Sequence, residues 1–210
     1  MGRGLYSIPV AFRILIVASL FLCGLREFAR TRASEVVRIG VGEGTATDLD
    51  GTVVDPLKAS AGKVVVLIFV RVDCPISNRY APTIRGIERR ARLDNAGVAF
   101  WLVYPDRSES AEQIRKHEKE FGYDLPALRD VRRSLVAESH AQTTPEAAVF
   151  DANRKLIYHG RIDNLYEDFG RARPAATTHE LEDAIRAALN GKEVAHASVP
   201  SVGCYISDLK

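Results

Sequence analysis

The sequence predicts an α/β fold in which helices flank a mixed central sheet. Two apolar runs, at 64–70 and 98–104, have the length and composition of strands buried on both faces, as in a parallel sheet. A helix-like pattern joins them, which is the crossover connection that parallel strands need. Farther along, a turn at 151–154 separates 147–150 from 155–159 and predicts a hairpin, which adds antiparallel strands.

Local signals give the other elements in order. An Asp-Gly turn within 48–54 predicts a small hairpin ahead of the first main strand. Apolar residues recur at intervals of three and four after Cys74, which predicts a helix from Pro75 to about Leu93 with Pro82 inside it. The remaining expected elements are a helix from 110 to 121 opened by a capping box, a short strand within 125–130, a short helix at 133–139, and a helix opened by a second capping box at 177–180 and ended at 190–191.

The first 33 residues have the composition of an export signal. Arg3 supplies positive charge ahead of an apolar run from Ile14 to Leu25, which is shorter than the roughly 18–20 residues that span a membrane. Export to the periplasm or another extracytoplasmic compartment is therefore predicted, and the signal is either cleaved after Ala33 or kept as a membrane anchor. The expected divisions are this signal or anchor at 1–33, a domain at 34–190 and a tail at 191–210.

Composition and charge exclude several functions. Of the 210 residues, 46% are hydrophobic and 27% are charged, as in ordinary globular proteins. The net charge of +2 arises in the signal segment, because the rest of the chain holds 24 basic and 26 acidic residues. No nucleic-acid partner is predicted from such a balance. Three cysteines are too few for a disulfide framework, so any disulfide is expected to be chemically active.

Cys74 lies where the first main strand meets a helix, and it is the candidate nucleophile. Pro75 suits the first position of a helix, which places Cys74 at or beside the N-cap. The free N–H groups and the dipole at a helix N-terminus favour a thiolate and lower the pKa of a cysteine there. The alternative interpretation is a small buried cysteine that only fills space at a strand end.

Four segments together resemble one family. They are Asp73–Pro82, Thr144–Glu146, Tyr158–Asp163 and Val202–Ile206. The combination is similar to the exported redoxins of the alkyl hydroperoxide reductase/thiol-specific antioxidant branch of the thioredoxin superfamily. The resemblance implies a thioredoxin-like three-layer fold over 36–190. It also implies that Pro145 is a cis proline facing the active cysteine, and that Thr144 and Pro145 shape a groove for a partner's disulfide.

Two departures separate the chain from its relatives. Thioredoxins have a second cysteine three residues after the first, and here that position is Ser77, which is expected to hydrogen-bond the thiolate together with the backbone of the first helical turn. Peroxiredoxins place Pro and Thr or Ser ahead of their cysteine where this chain has Leu67 and Arg71. Arg71 is expected to stabilise a Cys74 thiolate by its charge, whereas Asp73 opposes ionisation.

Cys204 is the expected partner of Cys74. If the signal is removed, these are the two cysteines that remain, and Ser77 leaves Cys74 without a local partner. The 13 residues from Gly191 to Gly203 reach about 40 Å when extended, which is enough to cross a domain with a radius of gyration of about 15 Å. The alternatives are a tail that packs elsewhere and pairing of Cys204 between molecules.

The leading prediction is an exported thiol–disulfide oxidoreductase with Cys74 as nucleophile and Cys204 as resolving cysteine. Its partners would be protein or small-molecule disulfides and a thiol electron donor. A thiol-dependent peroxidase and a non-catalytic binding module are the alternatives. No cofactor or metal is predicted, because copper chaperones of similar fold have a second cysteine where this chain has Asn78. Surface or loop positions are expected for His117, His140, His179 and His196, and no active-site role is expected for His159, just after the hairpin strand.

Overall fold

A computed structural model describes residues 44–94 and 97–208 of the chain. The predicted signal at 1–33 and the start of the predicted domain lie outside the described residues, as do Asn95 and Ala96. Within the described ranges, no helix is both long enough and apolar enough to cross a membrane.

The described residues form twelve short strands and five α-helices. The helices are α1 (Pro56–Ala59), α2 (Pro75–Asp94), α3 (Ala111–Phe121), α4 (Ser134–Ser139) and α5 (Glu180–Leu189), and a 3₁₀ turn follows at Ile206–Asp208. The strands are β1 (Ala46–Asp48), β2 (Val53–Val54), β3 (Val64–Phe69), β4 (Val98–Tyr104), β5 (Ala127–Arg129), β6 (Thr143–Thr144), β7 (Glu146–Phe150), β8 (Leu156–Gly160), β9 (Tyr166–Asp168), β10 (Arg171–Ala172), β11 (Ser198–Val199) and β12 (Cys204–Tyr205).

Eight of these strands form one mixed sheet in the order β11-β8-β7-β3-β4-β5-β1-β2. The central strands β3, β4 and β5 run parallel, because helical crossovers connect them. The hairpin β7–β8 joins β3 antiparallel, and β1 and β2 pair antiparallel at the other edge. The mixed sheet, the main hairpin and the small hairpin are therefore confirmed.

The sheet divides the core into two layers. Alternate residues of β3 face opposite sides, so Val66 and Ile68 join one apolar cluster while Leu67 and Phe69 join the other. Apolar residues of α2, α3 and α5 complete the first cluster. Residues of α1, α4 and the 3₁₀ turn complete the second. The sheet is thus the middle of three layers, as predicted.

Capping explains where α3 begins and ends. The Ser110 hydroxyl accepts a hydrogen bond from the backbone N–H of Gln113 at 3.2 Å, and the Gln113 side chain accepts one from the backbone N–H of Ser110 at 2.7 Å. Gly122 closes the helix in the left-handed conformation, with φ of 67°. The first capping box is therefore confirmed.

The second predicted capping box, at 177–180, is wrong. Helix α5 starts after His179, and the side chain of His179 makes no capping bond. The Thr177 hydroxyl instead accepts from the side-chain amide of Asn164 at 2.7 Å, and Glu180 binds the guanidinium of Arg161. Tertiary partners have replaced the local bonds that the sequence pattern predicts.

The tail returns to the body of the fold by two short pairings. Strand β11 adds to the edge of the main sheet beside β8 in parallel orientation. Strand β12 then pairs antiparallel with β6, away from the main sheet. The second pairing places Cys204 opposite Thr144.

Candidate active site

Cys74 occupies the N-cap of α2. Its carbonyl oxygen accepts the first helical hydrogen bond from the backbone N–H of Asn78 at 3.0 Å. Its sulfur accepts the backbone N–H of Ser77 at 3.5 Å, which is the contact that an N-cap side chain makes with the third helical residue. The sulfur therefore faces the positive end of the helix, where a thiolate is stabilised.

A cis peptide bond between Thr144 and Pro145 lies directly beside this sulfur. The Cys74 thiol donates a hydrogen bond to the carbonyl oxygen of Thr144 at 3.1 Å. The cis geometry that the resemblance implies for Pro145 is confirmed. This peptide links β6 to β7, so the end of the main sheet forms one wall of the site.

Cys204 completes a pair of thiols. Its Sγ lies 2.9 Å from Sγ of Cys74, and both cysteines are free thiols. The Cys204 thiol donates to the Cys74 sulfur, which in turn donates to the backbone of Thr144. Disulfide formation would need the two sulfurs to approach to about 2.05 Å, a small displacement. Of the alternatives open from the sequence, a tail that packs elsewhere is wrong.

The two thiols differ in acidity. Burial opposes ionisation of Cys74, but hydrogen bonds from Cys204 and Ser77 outweigh it, so the pKa of Cys74 lies below its ordinary value. Burial, followed by the hydrogen bond to Cys74 and its negative charge, raises the pKa of Cys204 to about 12. Cys74 is therefore the more acidic thiol of the pair, and Cys204 is the one that keeps its proton.

Arg71 lies near both sulfurs but is paired with Asp73. Its side-chain Nε donates to the Asp73 carboxylate. The hydrogen bond to Asp73 raises the pKa of Arg71, and negative charge on the two thiols adds to this effect. Because Asp73 balances most of its charge, Arg71 stabilises the thiolate less than an unpaired arginine would.

Ser77 contributes its backbone to the site. The Ser77 hydroxyl oxygen is buried and has no hydrogen-bond partner within the described ranges. The backbone N–H of Ser77 donates to the Cys74 sulfur, which is the hydrogen bond expected of the first helical turn.

Glu146 was not singled out from the sequence, yet its carboxylate forms hydrogen bonds with two separate segments of the site. This carboxylate directly follows Pro145 and is 3% exposed. Its Oε2 accepts the backbone N–H groups of Gln142 and Thr143 at 3.0 and 3.1 Å and the hydroxyl of Ser201 at 2.9 Å. It thereby joins the loop before the cis proline to the tail. The sequence feature that could have identified Glu146 is an acidic residue at the start of an otherwise apolar strand.

A second buried carboxylate, Glu109, lies on the loop after β4. Its Oε1 accepts the backbone N–H of Val72 at 2.6 Å, two residues before Cys74, and its other oxygen has no partner in the part of the chain that is described. Burial raises the pKa of Glu109 to about 7. Nothing in the local sequence distinguishes it from an exposed loop residue.

The expectation that His117 lies on the surface is wrong. His117 is buried, and its Nδ1 lies 2.9 Å from the Tyr104 hydroxyl while its Nε2 lies 2.8 Å from Oδ1 of Asn78. Asn78 also donates to the backbone of Val72 at 3.0 Å. His117 therefore joins α3 to the segment that carries Cys74. Among the described residues, no cluster of three or more His, Cys, Asp or Glu side chains is arranged to hold a metal.

A groove of about 470 Å³ opens beside the thiol pair. Arg71, Gly203 and Cys204 contribute to its lining. Two large hydrophobic side chains that are exposed also line it, Phe169 at 65% and Tyr205 at 60% exposure. The only thiol of the pair that reaches this groove is the half-buried Cys204, since Cys74 is fully covered.

A helix-capping cysteine that faces a cis proline across the end of a mixed sheet is the arrangement that the resemblance to the redoxins predicts. No protein-family profile matches the chain, and no curated protein matches it. Solved structures do resemble it, and they establish the fold.

A hypothetical protein from Sinorhizobium meliloti 1021 is similar with a TM-score of 0.64 and 24% identity, covering 79% of this chain and 91% of that one. A secreted Mycobacterium tuberculosis disulfide oxidoreductase, described as homologous to Escherichia coli DsbE, has a TM-score of 0.50 and 20% identity over 69% and 96%. A thiol:disulfide interchange protein of the thioredoxin family from Chlorobium tepidum TLS has a TM-score of 0.50 and 15% identity over 69% and 92%. The fold of this chain is thioredoxin-like.

Proposed function

We propose that the protein is an exported thiol–disulfide oxidoreductase in which Cys74 is the nucleophile and Cys204 the resolving cysteine. The observation that carries this proposal is the 2.9 Å separation of the two sulfurs at a helix N-terminus. Two proteins of similar fold, from Mycobacterium tuberculosis and Chlorobium tepidum, are described as a disulfide oxidoreductase and a thiol:disulfide interchange protein. The same chemistry is supported here by residues of this chain.

In the first step, the Cys74 thiolate attacks one sulfur of a substrate disulfide. A Cys74–substrate disulfide forms, the substrate S–S bond breaks, and the other substrate sulfur leaves as a thiolate. Cys74 carries no negative charge in this mixed disulfide. Two of the causes that raise the pKa of Cys204, the hydrogen bond to Cys74 and its charge, are then removed.

In the second step, Cys204 loses its proton and attacks the Cys74 sulfur. The Cys74–Cys204 disulfide forms and the second substrate thiol is released, so the substrate gains two electrons and the protein loses two. A thiol electron donor then reduces the protein disulfide. Ser77 and Thr144 hold the reacting sulfur in place by the hydrogen bonds described above, and Pro145 shapes the groove through its cis peptide bond with Thr144.

A Cys204→Ser protein tests the resolving role. It should accumulate mixed disulfides with its substrates, because the second step has no attacking thiol. A Cys74→Ser protein is the control and should trap nothing. If both variants trap the same partners, or the Cys204→Ser protein turns over like the unmodified chain, the assignment of roles is wrong. Peroxide consumption coupled to a thiol donor, without disulfide exchange, would instead favour the peroxidase alternative.

We further propose that residues 1–33 direct export. Oxidising compartments allow a catalytic disulfide to form, which agrees with the pair of thiols at the site. Expression of the full chain followed by fractionation and intact-mass measurement tests this. A periplasmic product lacking the first 33 residues supports cleavage, a full-length membrane-bound product supports an anchor, and a full-length product in the cytoplasm contradicts export.

A further inference from the structure

The tail binds β6 as an added strand. Cys204 lies opposite Thr144 and Tyr205 opposite Thr143 in antiparallel register, and Ile206 donates its N–H to the carbonyl of Gln142 at 2.9 Å. The two-stranded sheet of β6 and β12 is separate from the main sheet. Backbone pairing of this kind is how extended polypeptides bind an exposed strand edge. The register also sets the Cys204 sulfur against Cys74.

Gly203 is fitted closely into this pairing. A Cβ atom at position 203 would lie 2.2 Å from the carbonyl oxygen of Thr144 and 2.7 Å from its carbon, closer than side chains approach backbone. A polypeptide in this register therefore needs glycine directly before its cysteine.

Ser201 supplies a second point of recognition, three residues before the cysteine. Its hydroxyl lies 2.6 Å from Oγ1 of Thr143 and donates to the buried Glu146 carboxylate at 2.9 Å. A hydroxyl at this position satisfies a carboxylate that is only 3% exposed. The site therefore recognises four consecutive residues: one with a hydroxyl group, one whose type these contacts do not specify, glycine and cysteine.

The tail also closes the site. Cys74 is 0% exposed while β12 is paired with β6. A bulky disulfide cannot reach a covered sulfur, so the tail must leave before a macromolecular substrate reacts with Cys74. Its departure frees the backbone groups of Thr143 and Thr144 along the edge where the tail was bound.

We propose that the tail is a tethered occupant of a polypeptide-binding site, and that the substrate is an extended polypeptide segment with glycine before its reactive cysteine, which replaces the tail on β6. This inference rests on the proposed thiol–disulfide chemistry of Cys74. The partner cysteine takes the position of the Cys204 sulfur and is attacked by Cys74. When the tail returns to β6, Cys204 resolves the mixed disulfide and the returning strand excludes the partner.

Synthetic peptides test the specificity. The probe is a peptide of residues 199–207 whose cysteine carries thionitrobenzoate as a mixed disulfide; the matched peptide has alanine in place of the glycine, and glutathione carrying the same group is the small-molecule reference. Cys74 loses its proton to solvent, and the thiolate then attacks the peptide sulfur; the peptide–thionitrobenzoate S–S bond breaks, and coloured thionitrobenzoate leaves with the electron pair. The rate of colour release and the mass of the adduct are measured.

The protein in this assay is the full chain with Cys204→Ser, so that the adduct cannot be resolved. The glycine peptide should react about tenfold faster than both the alanine peptide and the glutathione reagent, a difference of about 1.4 kcal/mol in the barrier. A second protein, Gly203→Ala with Cys204→Ser, should react still faster with the glycine peptide, because its own tail no longer fits beside Thr144. If that protein does not fold, Ser201→Ala with Cys204→Ser weakens the tail by its hydroxyl contacts alone.

Equal rates for the two peptides overturn the polypeptide site, even where the glutathione reagent shows that Cys74 exchanges disulfides. A tail-weakened protein that reacts no faster with the glycine peptide also overturns it. Absence of any adduct from all three probes, in a folded protein, overturns the thiol chemistry itself and the inference with it.

Discussion

At the residue scale, the two thiols acquire different roles from their surroundings. Cys74 caps a helix and receives hydrogen bonds from Ser77 and Cys204, whereas Cys204 lies on a short strand and donates its proton to Cys74. Burial acts against ionisation of both. The difference in pKa therefore comes from the hydrogen bonds that Cys74 accepts from Ser77 and Cys204, which favour negative charge on Cys74 rather than on Cys204.

Replacing Cys204 by alanine should make the Cys74 thiol less acidic. The hydrogen bond from Cys204 is the largest of the causes that lower the pKa of Cys74, so its removal should raise that pKa. The thiolate absorbance of the reduced protein, followed against pH, measures it. Arg71→Gln is a useful comparison and should have the smaller effect, because Asp73 already balances that charge. An unchanged midpoint in Cys204→Ala would show that the helix terminus alone sets the acidity.

Glu109 should make stability depend on pH. Its folded-state pKa is about 7, above the ordinary 4.5, so the folded state keeps a proton that the unfolded chain has lost between these values. Stability therefore falls as pH rises through this window, and the loss is complete above pH 7. Glu109→Gln keeps an acceptor for Val72 and should raise the free energy of unfolding at pH 8 by up to about 3 kcal/mol, with little effect below pH 4.5.

Urea unfolding at a series of pH values measures this difference. The exposed Glu112, on the first turn of α3, offers the matched control Glu112→Gln, which should show no comparable rise. A gain for Glu109→Gln that is the same at low and high pH would mean that the carboxylate is not held protonated by the fold.

At the scale of elements, the short pairing of β12 with β6 is the feature on which the site depends. Two residues on each strand pair, and the hydroxyl contacts of Ser201 with Thr143 and Glu146 hold the approach to it. A segment that has to dissociate and bind again is expected to make few contacts. Because the contacts are few, the loss of any one of them should change how often Cys204 comes close to Cys74.

Ser201→Ala should therefore weaken the disulfide between the two cysteines. One hydrogen bond contributes about 0.5–1.5 kcal/mol, so the equilibrium constant of that disulfide against glutathione should fall by a factor of about 2 to 13. Ser198→Ala is the matched control, because Ser198 is an exposed tail residue that pairs through its backbone with His159. Equal effects of the two variants, or none for Ser201→Ala, would show that the hydroxyl does not position the tail.

Elements with strong local signals were predictable from the sequence. Helix α2, the strand β3 and the capping box of α3 follow from apolar periodicity, a Cys-Pro junction and a Ser-x-x-Gln pattern, all of which act within a few residues. The predicted box at the start of α5 failed because Asn164 and Arg161, from elsewhere in the chain, bind its members. Local patterns are reliable only where no distant partner competes.

At the scale of the whole molecule, distant segments meet at one end of the sheet. The helix N-terminus, the cis proline and the tail come from three separate parts of the chain. The length of the tail indicated that Cys204 could reach Cys74, but length alone does not determine the route that the tail takes across the fold. That path depends on the fit of Gly203 against Thr144 and on the Glu146 contacts, which exist only in the folded chain. Buried Glu109 and His117 were missed for the same reason.

We expect Cys74 and Cys204, 130 residues apart, to form a reversible disulfide within one chain. Closing a loop of this size restricts the unfolded chain, so the oxidised protein should also be the more stable form by about 4–5 kcal/mol.

The most direct measurement is the intact mass of the protein under non-reducing conditions after mild oxidation, followed by alkylation. The account predicts a monomer lighter by two hydrogens, in which Cys74 and Cys204 both resist alkylation until a reductant is added. A monomer with both thiols free, or a covalent dimer alone, would contradict it.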